Sequence, residues 1–236
     1  MIRRLQVVWP DARPFRGRGG RALRLLATSD EFDPALDERE NRESLGSIDL
    51  VVGCGDLSPE RLCFLADAFR APLVYVRGNH DRGDSWPGLA ALPLPSAGPD
   101  RRSLEGVPLL ALPWPGDAAG AARRDEAAAW RQALRPAAAA LVRRTGPRLV
   151  FSHVPPRGLG DTPSDPYHRG FAAYRFILDR LAPTLWLHGH TALAASKDWR
   201  VQLGPCTVVN VTGAVLVELM PPAEAGSAGV GAQADR

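Results

Sequence analysis

Short apolar runs bounded by glycine, proline and aspartate recur along this chain, at Ala22–Ala27, Ile48–Val52, Leu73–Val76, Val107–Leu112, Leu149–Phe151 and Leu185–Leu187. Continuous apolar runs of this length predict strands buried on both faces. Helices are expected between them, at Pro59–Phe69, Ala121–Val142 and Gly170–Leu181. Ser58 with Pro59 reads as an N-cap followed by proline at the first helical position. Pro136 should end or kink the second helix. Three later runs, Val201–Leu203, Thr207–Val211 and Ala214–Leu219, read as short strands joined by glycine-containing turns. Strands alternating with helices argue for an α/β layered fold. The expected organisation is an arm over 1–21 with at most one short strand, one domain over 22–220, and a disordered tail over 221–236.

The chain has 236 residues, enough for one large domain with a substantial core. The net charge of +3 is weak, and Lys197 is the only lysine among 29 basic residues. Arginines crowd the segment from Arg3 to Arg24, which we read as solvated rather than as an anion-binding arm. The dispersed arginines form no basic strip interleaved with aromatics, which argues against a nucleic-acid partner. Cys54, Cys63 and Cys206 are an odd, widely spaced set that fits free thiols in a reducing cytoplasm. No apolar run has transmembrane length, and Leu5–Trp9 is too short for a signal-peptide core. A cytoplasmic protein is expected. Nothing in the sequence sets the oligomeric state.

The chemistry lies just past the strands. Ser29-Asp30-Glu31 follows the first run, Gly55-Asp56 the second, Gly78-Asn79-His80-Asp81 the third, Ser152-His153 the fifth and His188-Gly189-His190 the sixth. The C-terminal rim of an α/β sheet is where ligands bind. Carboxylate oxygen, amide carbonyl and imidazole nitrogen together suit Mn²⁺, Fe or Zn²⁺ better than Ca²⁺ or a thiolate metal.

In that order the motifs resemble the calcineurin-like metallophosphoesterase superfamily, from about Ala22 to Leu219, with Gly78-Asn79-His80-Asp81 as the sharpest element. The block from Ser152-His153-Val154-Pro155-Pro156 through His168 to His188-Gly189-His190 is similar to a branch in which a proline pair follows the isolated histidine. The fold this implies is a four-layer αββα sandwich of two mixed sheets with flanking helices. The activity it implies is divalent-metal-dependent hydrolysis of a phosphomonoester or phosphodiester, a small phosphorylated substrate, with Mn²⁺ as the expected ion and Fe, Zn²⁺ or Mg²⁺ as others. The resemblance makes Asp56 the bridging ligand and gives one complete metal site of Asp56, Asn79, His153 and His190. The other site takes Asp30, but Phe32 and Ala192 stand where its two histidines belong.

Three readings stay open. The protein works with one metal; or carboxylates refill the other site, Asp30 and Asp56 helped by Glu31 or Asp33, with a harder cation such as Mg²⁺ or Mn²⁺; or catalysis is lost and a phosphorylated ligand is only bound. In the one-metal reading, Asp30 or Glu31 positions the attacking water. By resemblance His80 contacts the phosphate and protonates the leaving oxygen, with Asp81 orienting its ring. Arg77 is a candidate phosphate clamp. His168 is a candidate substrate contact from a lid loop over Gly158–Gly170, which also holds Asp161 and Asp165. His188 is read as a supporting or packing histidine, Cys54 as a buried thiol, and the tryptophans at 86, 114, 130, 186 and 199 as core or lid packing.

Overall fold

The computed structural model describes residues 2–81, 103–104, 106–116, 124–142, 148–193 and 198–223, with the side chains at 103–104 and 139–142 left aside. The expectations for Trp86, for the start of the second helix at 121–123 and for the tail beyond 223 lie outside these residues.

Two sheets carry the molecule. The first has five strands: β1 (Arg3–Val8), β2 (Leu23–Ser29), β3 (Leu50–Gly53), β4 (Leu73–Tyr75) and the last strand, β11 (Gly213–Met220), in spatial order β1-β11-β2-β3-β4. The second has six: β5 (Ser103–Leu104), β6 (Val107–Leu112), β7 (Leu149–Ser152), β8 (Leu185–His188), β9 (Arg200–Leu203) and β10 (Cys206–Asn210), in order β5-β6-β7-β8-β10-β9. Both are mixed. β2, β3 and β4 run parallel, as do β6, β7, β8 and β10, whereas β11 opposes β2 and β9 opposes β10. Two parallel sets pointing the same way bring their C-terminal ends to one rim. Every motif singled out in the sequence follows one of those ends.

Burial explains the layers. One apolar cluster joins the facing sides of the sheets through residues such as Leu25, Val52, Phe151, Leu187 and Val217. A second covers the outer face of the six-stranded sheet with α3 (Glu126–Val142) and α4 (Ala172–Leu181). A third covers the five-stranded sheet with α1 (Arg39–Leu45) and α2 (Pro59–Phe69). The result is the four-layer αββα sandwich. The parallel strands read as unbroken apolar runs because both of their faces are covered.

α2 starts as expected, with the Ser58 side chain accepting from Arg61 N and Pro59 in the first turn. Of the two expectations for Pro136, ending the helix is corrected: α3 continues through it to Val142. Proline removes one backbone donor, but Pro136 is buried beside Ala133 and Ala137, and that packing against α4 holds the helix. The arginine-rich start contributes β1, which adds to the edge of the first sheet in parallel with β11. Three of its arginines have acidic partners: Arg18 pairs with Asp49, Arg24 with Glu218, and Arg13 with Asp11. Among the described residues no helix is long and apolar enough to cross a membrane.

Candidate metal and phosphoester site

Six turns at the rim aim side chains at one place, and three of them are strained. Asp30, Asp56 and His190 all have positive φ, at 59°, 55° and 67°. Asp30 follows β2, Asp56 follows β3 and His190 follows β8. Non-glycine residues rarely adopt this conformation and persist in it only when their surroundings hold them there. The neighbouring glycines make room. A Cβ on Gly78 would lie 2.2 Å from Asp56 Oδ1, and one on Gly55 would lie 2.6 Å from His153 Nδ1.

His153 is the hub. It is fully buried, and its Nδ1 donates to the carbonyl of Cys54 at 2.9 Å, which turns Nε2 toward the rim. Around Nε2 lie Asn79 Oδ1 at 2.8 Å, His190 Nδ1 at 3.1 Å and Asp56 Oδ2 at 3.2 Å. His190 Nε2 donates to the carbonyl of Tyr167 at 3.1 Å, so its Nδ1 lone pair faces inward. The structure thus brings together Asp56, Asn79, His153 and His190, the four residues expected as one ligand set. Asp30 is close by: ligand atoms of Asp30, Asp56 and His153 lie within 4.8 Å of one another. Its Oδ2 accepts from His190 N at 2.9 Å and from the Thr212 hydroxyl at 3.2 Å, which joins the two sheets across the rim.

The donor set fits a divalent cation. With metal–ligand bonds of about 2.1 Å, neighbouring ligand atoms sit roughly 3.0 Å apart in an octahedral shell and roughly 3.4 Å apart in a tetrahedral one. The three contacts of His153 Nε2 span 2.8 to 3.2 Å. Three lone-pair donors aimed at one imidazole nitrogen are satisfied only by a cation or by a proton. The proton is accordingly held hard. Burial opposes charge on His153, but contact with Asp56 and the field of Asp30 outweigh it and lift its pKa to about 9. Burial raises Asp56 as well, yet its bond to His153 prevails and its pKa falls below the usual range. Burial and the neighbouring His153 charge drive His190 down to about 3 and keep it neutral. A metal entering here displaces one proton and finds the other donors ready.

Phe32 and Ala192 provide no ligands. Phe32 is drawn to the outer layer, where its ring centroid lies 6.1 Å from Phe64 and the Arg61 guanidinium stacks on it at 4.2 Å. Ala192 is exposed. Of the carboxylates expected to refill that side, Asp33 instead caps a short 3-10 turn by accepting from Ala35 N, and Glu31 points to solvent.

His80 stands at the mouth of the site, with its side chain 73% exposed and Nε2 4.0 Å from Asp56 Oδ2. Asp81 differs from expectation. Its Oδ2 accepts from Asp56 N at 2.7 Å and Gly78 N at 2.8 Å, so it latches two ligand loops together; among the described residues it makes no hydrogen bond to the His80 ring. Burial there raises its pKa to about 6 against the pull of the Gly78 amide. Arg77 is half-buried and lies near Tyr75, whose phenol burial pushes up against the pull of the Arg77 charge, and the Arg77 carbonyl accepts from Trp114 N. His168 bonds through Nδ1 to Asp165, with its ring centroid 5.1 Å from that of His190. His188 is buried and neutral, its pKa lowered to about 4 by burial, and it fills the space beside Gly160. With these, all five histidines of the chain lie at this rim.

The sequence reading gives Trp114 only as core or lid packing and does not single out Tyr167. Trp114, just past β6, places its ring 5.5 Å from His190 and 6.2 Å from His153. It follows a strand end, so the rule that found the others would have found it. Tyr167 bonds Asn79 and His190 from the proline-rich loop, where no periodicity marks it.

The sequence profile of the calcineurin-like phosphoesterases matches residues 24–193. No curated protein sequence matches the chain. Among solved structures, the crystal structure of TT1561 from Thermus thermophilus is 19% identical, with 81% of this chain and 90% of that one covered at a TM-score of 0.55. The phosphopantetheinyl hydrolase PptH from Mycobacterium tuberculosis is 14% identical, with 82% and 90% covered at a TM-score of 0.50. At these identities the two structures share the fold alone, and the family rests on the profile together with the motifs. From Arg24 to Leu193, and so through every one of the candidate ligands, this chain belongs to the calcineurin-like phosphoesterase family.

Proposed function

We propose that this protein hydrolyses a small phosphomonoester or phosphodiester with one divalent cation, expected to be Mn²⁺, held by Asp56, Asn79, His153 and His190. The supporting observation is the clustering of three donor atoms within 3.2 Å of His153 Nε2. When bound, a divalent cation lowers the pKa of water and offsets charge on phosphoryl oxygens. Asp30 is placed to orient the attacking water and take up its proton. His80, exposed at the mouth, is placed to give a proton to the leaving oxygen. Asp81 fixes the loops that carry Asp56 and Asn79. His168, held by Asp165, faces the same opening and is the better placed of the two expected substrate contacts; Arg77 lies toward Tyr75. The unpaired Cys54, Cys63 and Cys206 support a reducing cytoplasm as its compartment.

Phe32 and Ala192 favour a second reading, a silent module that binds a phosphorylated ligand. Turnover separates the two. Wild-type protein with Mn²⁺ should hydrolyse an aryl phosphate or a bis-aryl phosphate, and Asn79→Ala should lower kcat/KM at least about a hundredfold. No turnover with Mn²⁺, Mg²⁺, Fe²⁺ or Zn²⁺ would leave only the silent module. The missing histidines also give a test of stoichiometry. Because the Phe32 side chain packs on Phe64 beneath Arg61, Phe32→His combined with Ala192→His should leave metal content at one equivalent, counted by plasma emission after dialysis. A rise to two equivalents would show that the Phe32 turn can face the site.

A further inference from the structure

The loop from Pro155 to Phe171 is closed on itself before it reaches the site. Phe171 N donates to the carbonyl of Pro155 and Arg157 N donates to that of Phe171, each at 3.2 Å. Asp161 spans the neck of the loop, accepting from Gly158 N at 3.0 Å and Gly170 N at 2.8 Å. Asp165 accepts from Tyr167 N at 2.8 Å and sets the far turn. Tyr167 is thereby held over two of the ligands at once. Its phenol oxygen accepts from Asn79 Nδ2 at 2.6 Å. Its carbonyl accepts from His190 Nε2 at 3.1 Å and from the Arg124 guanidinium at 2.8 Å. Arg124 in turn lies over the Phe171 ring at 4.2 Å, which ties the loop down from outside.

These contacts decide which atoms face the cation. The two ends of an asparagine amide are nearly the same shape, but only the oxygen has lone pairs. Asn79 is buried, so its NH₂ needs a partner, and with the phenol as that partner Oδ1 turns toward His153. For His190, a hydrogen bond at one ring nitrogen leaves the lone pair on the other. We infer that Tyr167 is a positioning residue of the metal site: its hydroxyl orients Asn79 and its carbonyl sets the tautomer of His190, so that the Pro155–Phe171 loop supplies the outer support for half of the ligand set. This rests on the four-ligand reading above and adds a residue that acts on two of the ligands.

Tyr174 provides the control. Its hydroxyl is also buried and bonded, to Gln132 Oε1 at 2.8 Å and the carbonyl of Pro113 at 3.2 Å, but it touches no ligand. Full-length wild type, Tyr167→Phe and Tyr174→Phe are titrated with Mn²⁺ by calorimetry and with Co²⁺ by visible absorption. Both variants should lower the Tm of the metal-free protein by a few degrees. Only Tyr167→Phe should weaken Mn²⁺ binding, by about 10- to 100-fold, and change the Co²⁺ bands. Wild-type Mn²⁺ affinity with an unchanged Co²⁺ spectrum in Tyr167→Phe overturns the assignment, as does an equal loss of affinity in both variants. Wild-type protein that takes up neither ion overturns the four-ligand reading itself, an outcome distinct from a normal wild-type titration with a silent Tyr167→Phe.

Discussion

His153→Ala should abolish both metal binding and turnover, the largest functional effect expected of any single change. His153 is the one residue in contact with all three other ligands, and its Nδ1 bond to Cys54 fixes the direction of the whole set. Its removal has two consequences. The cation loses a nitrogen donor, and Asp30 and Asp56 lose the positive partner that balances them in the metal-free protein. Loss of a catalytic cation removes several kcal/mol of transition-state stabilisation, and about 4 kcal/mol corresponds to roughly a thousandfold in rate. The expected result is a kcat/KM at least about a thousandfold below wild type. Thermal unfolding gives an independent readout. A ligand at 100 times its Kd stabilises the native state by about 2.7 kcal/mol, so Mn²⁺ should raise the Tm of wild type and leave that of His153→Ala unmoved. A Tm that rises equally in both would remove His153 from the site.

Gly189→Ala should be the most damaging change to the fold near the site. A methyl group there would lie 1.9 Å from Ser29 Oγ and 2.2 Å from Asp30 Oδ2. Neither atom can yield freely. Ser29 Oγ bonds the carbonyls of Cys54 and Gly55 at 3.0 and 2.9 Å, and Asp30 Oδ2 holds His190 N and Thr212. These contacts join the end of β2 in one sheet to the turn after β8 in the other. Overpacking costs about 1–3 kcal/mol, and each lost hydrogen bond adds about 1 kcal/mol. A total of roughly 3 kcal/mol or more lowers the Tm by about 6–12 °C in a protein of this size. Differential scanning calorimetry measures this directly, and a Tm within about 2 °C of wild type, in the range of a neutral substitution, would mean that the two sheets are not held at this turn.

Much of this was legible because the chemistry is written at strand ends. A buried parallel strand is a run of apolar residues, so the polar residue that breaks the run is the one delivered to the rim. That logic locates the motifs that carry Asp30, Asp56, Asn79, His153 and His190, and the family resemblance then picks these residues out of them. The strand-end logic fails where position is set by distant partners. α1 is nearly all polar and buries only Leu45, so no apolar stripe announces it. Pro136 sits inside α3 because buried alanines on either side of it hold the helix, a tertiary effect that local propensity does not contain. Asp81 accepts from backbone amides of two loops that only the folded chain brings together. Tyr167 acts on His190 through a main-chain carbonyl, a group that every residue possesses and no sequence pattern distinguishes.

Phe32 shows the converse. The family resemblance expects a histidine there, and the folded chain shows what the phenylalanine does instead: its ring packs on Phe64 beneath Arg61. The phenylalanine adds a contact to the outer layer where a second cation would need an imidazole.

The most direct test is diffraction from Mn²⁺-soaked crystals, with data collected on both sides of the manganese absorption edge. A single anomalous peak within about 2.3 Å of Asp56, Asn79, His153 and His190 is expected. Two peaks flanking Asp56, or none with Mn²⁺ in excess, would contradict a one-cation site at this rim.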